Sequence, residues 1–190
     1  MNNKQDHQIH FKNPVYDSSK ERNVVDYMKW MQTAEITAEL EKNHKNFGIL
    51  LVNIDYDNNA GNIIRSANAF AAREIILYGR RKFDRRASLG VEFYMQFRQL
   101  KFVEDIDEIL ADYDQIIGLD NLPGAKSLPE FNWNRDIRTL ICVGQEGSGL
   151  PEEIIKKCDF LLEIPQFGSV RSLNVSVASG IVMYDYCFKK

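Results

Sequence analysis

The chain has 190 residues, of which 44% are hydrophobic, and this is enough for one well-buried core. No apolar stretch approaches the length of a membrane span, and residues 1–7 lack the hydrophobic core of a signal peptide. The three cysteines show no metal-ligand spacing, and Cys142 lies in an apolar run that predicts a buried, reduced thiol. We therefore expect a soluble cytoplasmic protein with no metal site and no membrane partner.

The net charge of −3 hides an uneven distribution of charge along the chain. Between Arg65 and Lys101 there are nine basic residues and three acidic ones. The densest run surrounds Phe83 and consists of Arg80, Arg81, Lys82, Arg85 and Arg86. Clustered arginines with an interleaved aromatic ring suit phosphate contacts and base stacking in nucleic acids. On charge alone, a solvated loop without any partner explains the run equally well.

The hydrophobic pattern predicts an N-terminal extension over residues 1–46 and one α/β domain over residues 47–190. Residues 1–19 are polar and aperiodic, which predicts a poorly ordered start, and residues 20–45 have helical spacing with Ser18 or Ser19 as N-cap. Six apolar runs predict strands, at Phe47–Ile54, Glu74–Tyr78, Leu100–Val103, Gln115–Leu119, Thr139–Val143 and Phe160–Ile164. Helices are predicted near residues 60–72, 86–97, 105–112, 150–158 and 174–187. Near-continuous apolar strands that alternate with helices indicate a mainly parallel six-stranded sheet flanked by helices.

Polar side chains in turns follow the first and fifth predicted strands. After the first strand, Asn59 is a candidate helix N-cap, and Gly61 allows close backbone approach. Arg65, almost two turns into that helix, would point toward the same end of the sheet. Taken alone, a helix cap and a surface ion pair explain this segment. After the fifth strand comes a glycine-rich turn over residues 144–149, in which Glu146 could hold a hydroxyl or a cation. Its spacing matches no nucleotide-binding glycine motif.

A third segment follows the sixth strand. Ile164 and Pro165 lead through a short loop to Ser172 and Asn174, at the start of the last helix. Ser172 is a candidate N-cap for that helix. Close packing explains the small residues within the helix, but it does not explain two polar side chains at its start. A serine-hydrolase triad is disfavoured because all three histidines precede the α/β domain.

In this order and at these separations, the three segments resemble the three motifs of the SpoU (TrmH-type) RNA ribose 2′-O-methyltransferases, which belong to the SPOUT superfamily. Asn59 and Arg65 match the first motif. Gly144, Glu146 and Gly149 match the second, and residues 164–178 match the third almost letter for letter. The resemblance covers residues 47–190, and three motifs in register are much more specific than one.

The resemblance implies a C-terminal deep trefoil knot, a device that composition alone never predicts. It implies S-adenosylmethionine as cofactor and a homodimer that packs the first-motif helix and the last helix across its interface. The cofactor contacts carried over by position are Leu119, Gly144, Ile164, Ser172 and Leu173. Arg65 would be the catalytic base or, more readily for a guanidinium, a clamp on phosphate and developing alkoxide. Asn59, Glu146, Ser172 and Asn174 would position Arg65 and the ribose.

The substrate implied by the resemblance is an RNA ribose, with phosphates held by the basic run at residues 80–86. We favour tRNA over rRNA, because an added rRNA-binding domain is not evident. Gln166 and Arg171 stand where many relatives have Met and Glu, which leaves the RNA substrate open. The alternatives are an rRNA 2′-O-methyltransferase and a non-catalytic RNA-binding module of the same fold. A methyltransferase for another acceptor and an ordinary doubly wound nucleotide enzyme are less well supported.

Overall fold

The computed structural model describes residues 8, 9, 11, 23–79, 82–100 and 105–190. Within these residues, seven strands form one sheet in the order β3-β2-β1-β6-β4-β7-β5. The strands are β1 (Phe47–Val52), β2 (Glu74–Tyr78), β3 (Gln96–Leu100), β4 (Gln115–Leu119), β5 (Lys126–Ser127), β6 (Thr139–Val143) and β7 (Phe160–Glu163). The helices are α1 (Thr33–Lys42), α2 (Asp57–Ala69), α3 (Arg85–Ser88), α4 (Ile106–Leu110), α5 (Glu152–Ile155) and α6 (Val175–Phe188).

Every pair of neighbouring strands in the sheet is parallel, as predicted. Successive residues of a strand face opposite sides, so the two faces of β1 can be followed directly. Ile49 and Leu51 pack with α2 and α6 in one core cluster, and Leu50 and Val52 pack with α4 and α5 in another. Because both faces are covered, the central strands β1 and β6 are buried along their whole length rather than at alternate residues. The knot stays a prediction, since strand order by itself does not define how the loops thread.

The sheet differs from the prediction in strand number and in the bounds of its third strand. The seventh strand is β5, which has two residues and is too short to leave a hydrophobic pattern. The third strand begins four residues earlier than predicted, because β3 runs from Gln96 to Leu100 and not from Leu100 to Val103 as expected. Residues 101–104 lie outside the described part of the chain.

Two predicted helices are much shorter than their patterns suggested. Instead of a helix over residues 86–97, α3 stops after one turn, because Leu89 and Gly90 adopt left-handed backbone conformations with φ of 53° and 82°. A 3₁₀ turn at Val91–Phe93 then leads into β3. The helix predicted over residues 150–158 is confined to α5, and Pro151 is its N-cap.

The N-terminal helix predicted over residues 20–45 is divided in two. A 3₁₀ turn spans Asp26–Met28, and α1 begins only at Thr33. Gln32 interrupts the helix in an extended conformation and forms a capping box with Glu35. Ser18 and Ser19 lie outside the described residues. At Ile9 the chain contacts the edge strand β3, because its amide donates to Phe97 O at 2.9 Å. The poor order predicted for residues 1–19 stays a prediction, since most of these residues lie outside the described part of the chain.

Cys142 is fully buried and free, as predicted. A hydrogen bond with the Cys158 thiol and burial both raise the pKa of the Cys142 thiol. Across the described ranges, we find no group of three His, Cys, Asp or Glu residues able to hold a metal ion. None of the helices in those ranges is long and apolar enough to cross a membrane.

Candidate active site

A cavity with a volume of about 450 Å³ lies beyond the carboxyl ends of β4, β6 and β7. Parallel sheets present their ligand sites at this edge. All five residues predicted to contact the cofactor line it: Leu119, Gly144, Ile164, Ser172 and Leu173. These residues come from three separate stretches of the sequence, and the strand order β6-β4-β7 brings them together. The volume of the cavity lies in the range typical of small-molecule and cofactor pockets.

The turn after β6 is folded back on itself and forms one wall of the cavity. Gln145 N donates to Gly149 O at 3.1 Å, and Gly149 N donates to Gln145 O at 2.9 Å. A Cβ atom at Gly144 would lie 2.3 Å from Gly149 C, so only glycine allows this close backbone approach. Gly149 itself has a φ of 70°, a left-handed conformation that favours glycine.

Asp120, directly after β4, holds the same turn from the other side. Its Oδ2 accepts a hydrogen bond from Leu150 N at 2.9 Å. The carboxylate also lies close to Gly149, where a Cβ atom would be 2.6 Å from Oδ2. The sequence interpretation missed Asp120, although its position after a parallel strand at the ligand edge is the signal that could have identified it.

Three of the predicted catalytic residues form one hydrogen-bonded chain. Asn174 Nδ2 donates to Asn59 Oδ1 at 3.1 Å, and Asn59 Nδ2 donates to Glu146 Oε1 at 2.8 Å. Glu146 Oε2 also accepts from the amide of Asp55 at 3.0 Å. These hydrogen bonds join the loop after β1, the turn after β6 and the start of α6. Because Asn59 is only 9% exposed, these bonds fix its side chain.

The structure corrects two predicted helix caps. Helix α2 begins at Asp57 after Tyr56, so Asn59 lies inside the first turn and turns its amide toward Glu146. At α6 the N-cap is Asn174, whose Oδ1 accepts from the amides of Ser176 and Val177. Ser172, the predicted cap, is exposed and lines the cavity two residues earlier. Asn174 therefore combines a capping role with its bond to Asn59.

A second link between the loops was not predicted. Gln145 Nε2 donates to Asp55 Oδ2 at 2.6 Å, and Ser148 Oγ donates to Gln145 Oε1 at 2.8 Å. Together with the Asp55–Glu146 bond, these contacts clamp the loop after β1 to the turn after β6. No pattern in the sequence pairs Asp55 with a residue about ninety positions away.

Arg65 does not lie in the cavity of its own chain. The residue is exposed on α2, and it is not among the cavity-lining residues. The helical position puts it on the same exposed face as Asn58, away from the buried Ile63 and Ile64. The direction in which its guanidinium points stays a prediction.

The basic run is less available for a ligand than its charge suggested. Arg86 forms a bidentate pair with Asp84, and Arg85 Nε donates to the buried Glu92 at 2.8 Å. Phe83 is partly buried and packs against Phe97 of the core. Lys82 is exposed. Arg80 and Arg81 lie outside the described residues, so their predicted RNA contacts stay a prediction.

We expect Glu146→Ala to destabilise the protein. The change removes the carboxylate that accepts hydrogen bonds from Asn59 Nδ2 and from Asp55 N. Asn59 is buried, so the loss of the acceptor for its Nδ2 costs about 1–3 kcal/mol, which corresponds to a fall of several degrees in Tm at this chain length. Thermal denaturation of Glu153→Ala, an exposed carboxylate on α5, provides the control. Equal Tm values for the two variants would contradict the structural role of Glu146.

Comparison with known proteins assigns this site to a family. The model of the SpoU rRNA Methylase family matches residues 46–184, so the chain belongs to that family. YacO of Bacillus subtilis (strain 168), described as a TrmH family tRNA/rRNA methyltransferase, is 31% identical over 157 residues, covering 79% of this chain and 61% of YacO. The 23S rRNA (guanosine-2′-O-)-methyltransferase RlmB of Coxiella burnetii is 34% identical over 143 residues, covering 72% of this chain and 56% of RlmB.

Solved structures agree with the observed fold. The AdoMet-bound rRNA methyltransferase from Sinorhizobium meliloti superposes with a TM-score of 0.68 at 27% identity, covering 77% of this chain and 59% of that one. The TrmH/SpoU tRNA modifying enzyme of A. aeolicus gives a TM-score of 0.70 at 23% identity, covering 81% of this chain and 80% of that one. This chain spans about 60% of the length of YacO and of the S. meliloti protein.

Proposed function

We propose that the chain uses S-adenosylmethionine to methylate a ribose 2′-hydroxyl of RNA. The observation that carries this proposal is one cavity lined by Gly144, Ile164 and Leu173, next to the linked side chains of Asn59, Glu146 and Asn174. The structure from S. meliloti, similar to this chain over the same fold, contains AdoMet. When bound, the cofactor would supply an electrophilic methyl group.

The residues of the cavity fit this cofactor in shape and charge. Gly144 allows the turn after β6 to close on Gly149, and this close approach shapes one wall of the cavity. Asp120 and Glu163 are acidic residues of the lining, and negative charge near the cavity suits a cationic sulfonium. We propose that Leu119, Gly144, Ile164, Ser172 and Leu173 contact the cofactor.

The acceptor hydroxyl needs orientation and removal of its proton, because a neutral hydroxyl is a weak nucleophile. We propose that Asn59, Glu146 and Asn174 hold the start of α6 and the turn after β6 in register, so that Ser172 and Asn174 meet the ribose. Arg65 would hold the adjacent phosphate and stabilise the developing alkoxide. A guanidinium is a more natural clamp than a base, since it stays protonated.

We propose that the active form is a homodimer across α2 and α6. Helix α6 has an exposed apolar stripe with helical spacing, formed by Val177, Ile181, Tyr184 and Phe188, which are 39–61% exposed. Phe70, at the end of α2, makes ring contacts with Tyr184 and Phe188 and extends the stripe. A contiguous apolar surface of this kind suits association. Arg65 on the neighbouring face of α2 would then lie at the interface, where the substrate RNA could reach it.

We expect Ile181→Asp to give a monomer without unfolding the chain. A carboxylate within the apolar stripe would be buried in the dimer without a partner, at a cost of several kcal/mol, but it is solvated in the monomer. Light scattering should report about half the mass of the wild type, and circular dichroism should be unchanged. Glu153→Gln, on the exposed surface of α5, provides the control. A monomeric wild type would contradict the proposal.

Among RNA classes, we propose tRNA as the first candidate and rRNA as the second. YacO is described as a tRNA/rRNA methyltransferase, which supports either class, and the rRNA alternative rests on RlmB at 34% identity. The test incubates the protein and labelled S-adenosylmethionine with unmodified tRNA and rRNA, followed by nuclease mapping. Label in a 2′-O-methylated nucleoside supports the proposal. Cofactor binding without transfer favours a non-catalytic RNA-binding module.

A further inference from the structure

The cavity carries an excess of negative charge. The residues that line it include three acidic ones, Asp120, Glu146 and Glu163, and one arginine, Arg171. No lysine or histidine is among the lining residues, all of which are described. Glu146 is committed to Asn59 and to the amide of Asp55. The other two carboxylates therefore form the part of the negative lining that the hydrogen-bonded chain does not use.

Asp120 and Glu163 lie at the ends of two adjacent strands. Asp120 follows β4, and Glu163 ends β7, with which β4 pairs in parallel. The side-chain Oδ2 of Asp120 accepts a hydrogen bond from Leu150 N. The backbone amide of Asp120 donates to Leu162 O at 3.0 Å. These hydrogen bonds hold the negatively charged carboxylate of Asp120 in one position at the carboxyl end of β4.

We infer that Asp120 and Glu163 make this cavity select the cationic form of the cofactor over its neutral product. The inference rests on the proposed function. In the transfer, the carbon–sulfur bond breaks and its electron pair stays on sulfur, a carbon–oxygen bond forms, and the hydroxyl proton leaves. A sulfonium thereby becomes an uncharged thioether. The adenosine, amino and carboxylate groups are the same before and after, so the sulfonium charge is what differs electrostatically between S-adenosylmethionine and S-adenosylhomocysteine.

Negative charge in the lining lowers the free energy of the bound sulfonium, whereas an uncharged thioether gains no comparable stabilisation. Uniform contacts to the shared groups of the two molecules cannot provide this difference, because they act on both alike. Selectivity for the charged form has a kinetic consequence. Methyl transfer removes the charge that the carboxylates stabilise, so the product leaves more readily and competes less with fresh cofactor.

The test compares the two ligands by calorimetry, without any RNA and without turnover. The variant is Asp120→Asn/Glu163→Gln, which removes two charges and keeps both side-chain shapes, and the carboxamide that replaces the Asp120 carboxylate retains an oxygen for Leu150 N. Glu152→Gln, an exposed carboxylate on α5, is the control. At low salt, we expect the wild type to bind S-adenosylmethionine about five- to tenfold more tightly than S-adenosylhomocysteine, because nearby charges are then only partly screened.

In the double variant, the Kd of S-adenosylhomocysteine divided by the Kd of S-adenosylmethionine should fall toward one. S-adenosylmethionine should bind more weakly, and the Kd of S-adenosylhomocysteine should change by less than about twofold. High salt should lower the ratio in the wild type and leave it unchanged in the double variant. Equal weakening of both ligands would show a merely structural role, and an unchanged ratio would also overturn the inference. If the wild type binds both ligands equally, the inference fails and the proposed function stands. If it binds neither, the proposed function fails.

Discussion

Arg65→Ala should lower the rate of methyl transfer by about 10²–10³-fold, the range found when a group that stabilises a developing oxyanion is removed. The affinity for S-adenosylmethionine should stay within about twofold of the wild type, because Arg65 is exposed and does not line the cavity. This separation of catalysis from cofactor binding is the result that distinguishes a role toward RNA from a role toward the cofactor. Single-turnover transfer and calorimetry measure the two quantities.

The matched control for this experiment is Arg138→Ala. Arg138 is also exposed, but it precedes β6 at the opposite end of the sheet from the cavity. Its loss should leave the transfer rate unchanged. Arg65→Lys tests the nature of the contact, since a lysine keeps the charge and loses the bidentate geometry. A large loss of cofactor affinity in Arg65→Ala would contradict the proposed assignment.

Gly144→Ala should remove cofactor binding, weakening it by more than about a hundredfold, because misplacement of a binding wall by about 1 Å has effects of this size. A Cβ atom at this position would lie 2.3 Å from Gly149 C and 2.5 Å from Leu150 N. Both are backbone atoms, so the whole turn must move. Overpacking of this kind also costs about 1–3 kcal/mol of stability.

The same turn provides the control, because a Cβ atom at Gly147 would have no heavy atom within 4 Å. Gly147→Ala should therefore bind the cofactor like the wild type and melt within about a degree of it. Calorimetry and thermal denaturation of the two variants give the comparison. If Gly147→Ala and Gly144→Ala lose the same affinity, the close approach of Gly144 to Gly149 is not what shapes the cavity.

The sequence by itself determined the class of fold and the three segments that meet at the site. Apart from the third, the predicted strands match or nearly match the structure, among them β2 at Glu74–Tyr78 and β6 at Thr139–Val143, because apolar runs and their turns are local signals. The three motifs identified the family for the same reason, since each is a short stretch of consecutive residues. The five predicted cofactor residues all line one cavity.

Local patterns failed where the outcome depended on a neighbour distant in sequence. The run before β3 has the composition of a helix, but pairing of β3 with β2 extends residues 96–100 into a strand. Ser172 and Asn59 are good caps by residue type, yet Asn174 caps α6 and Asn59 turns to Glu146. By residue type, Ser and Asn can cap a helix or form other hydrogen bonds, and the tertiary contacts determine which of these they do.

The tertiary structure alone decided which polar groups act together. The bonds from Asp55 to Gln145 and from Asn59 to Asn174 join residues about ninety and more than a hundred positions apart. Asp120 entered the site because β4 lies between β6 and β7 in the sheet. The position of Arg65 outside its own cavity likewise depends on which face of α2 packs on the sheet. Strand order and helix orientation arise from burial of apolar surface over the whole chain, so no short segment encodes them.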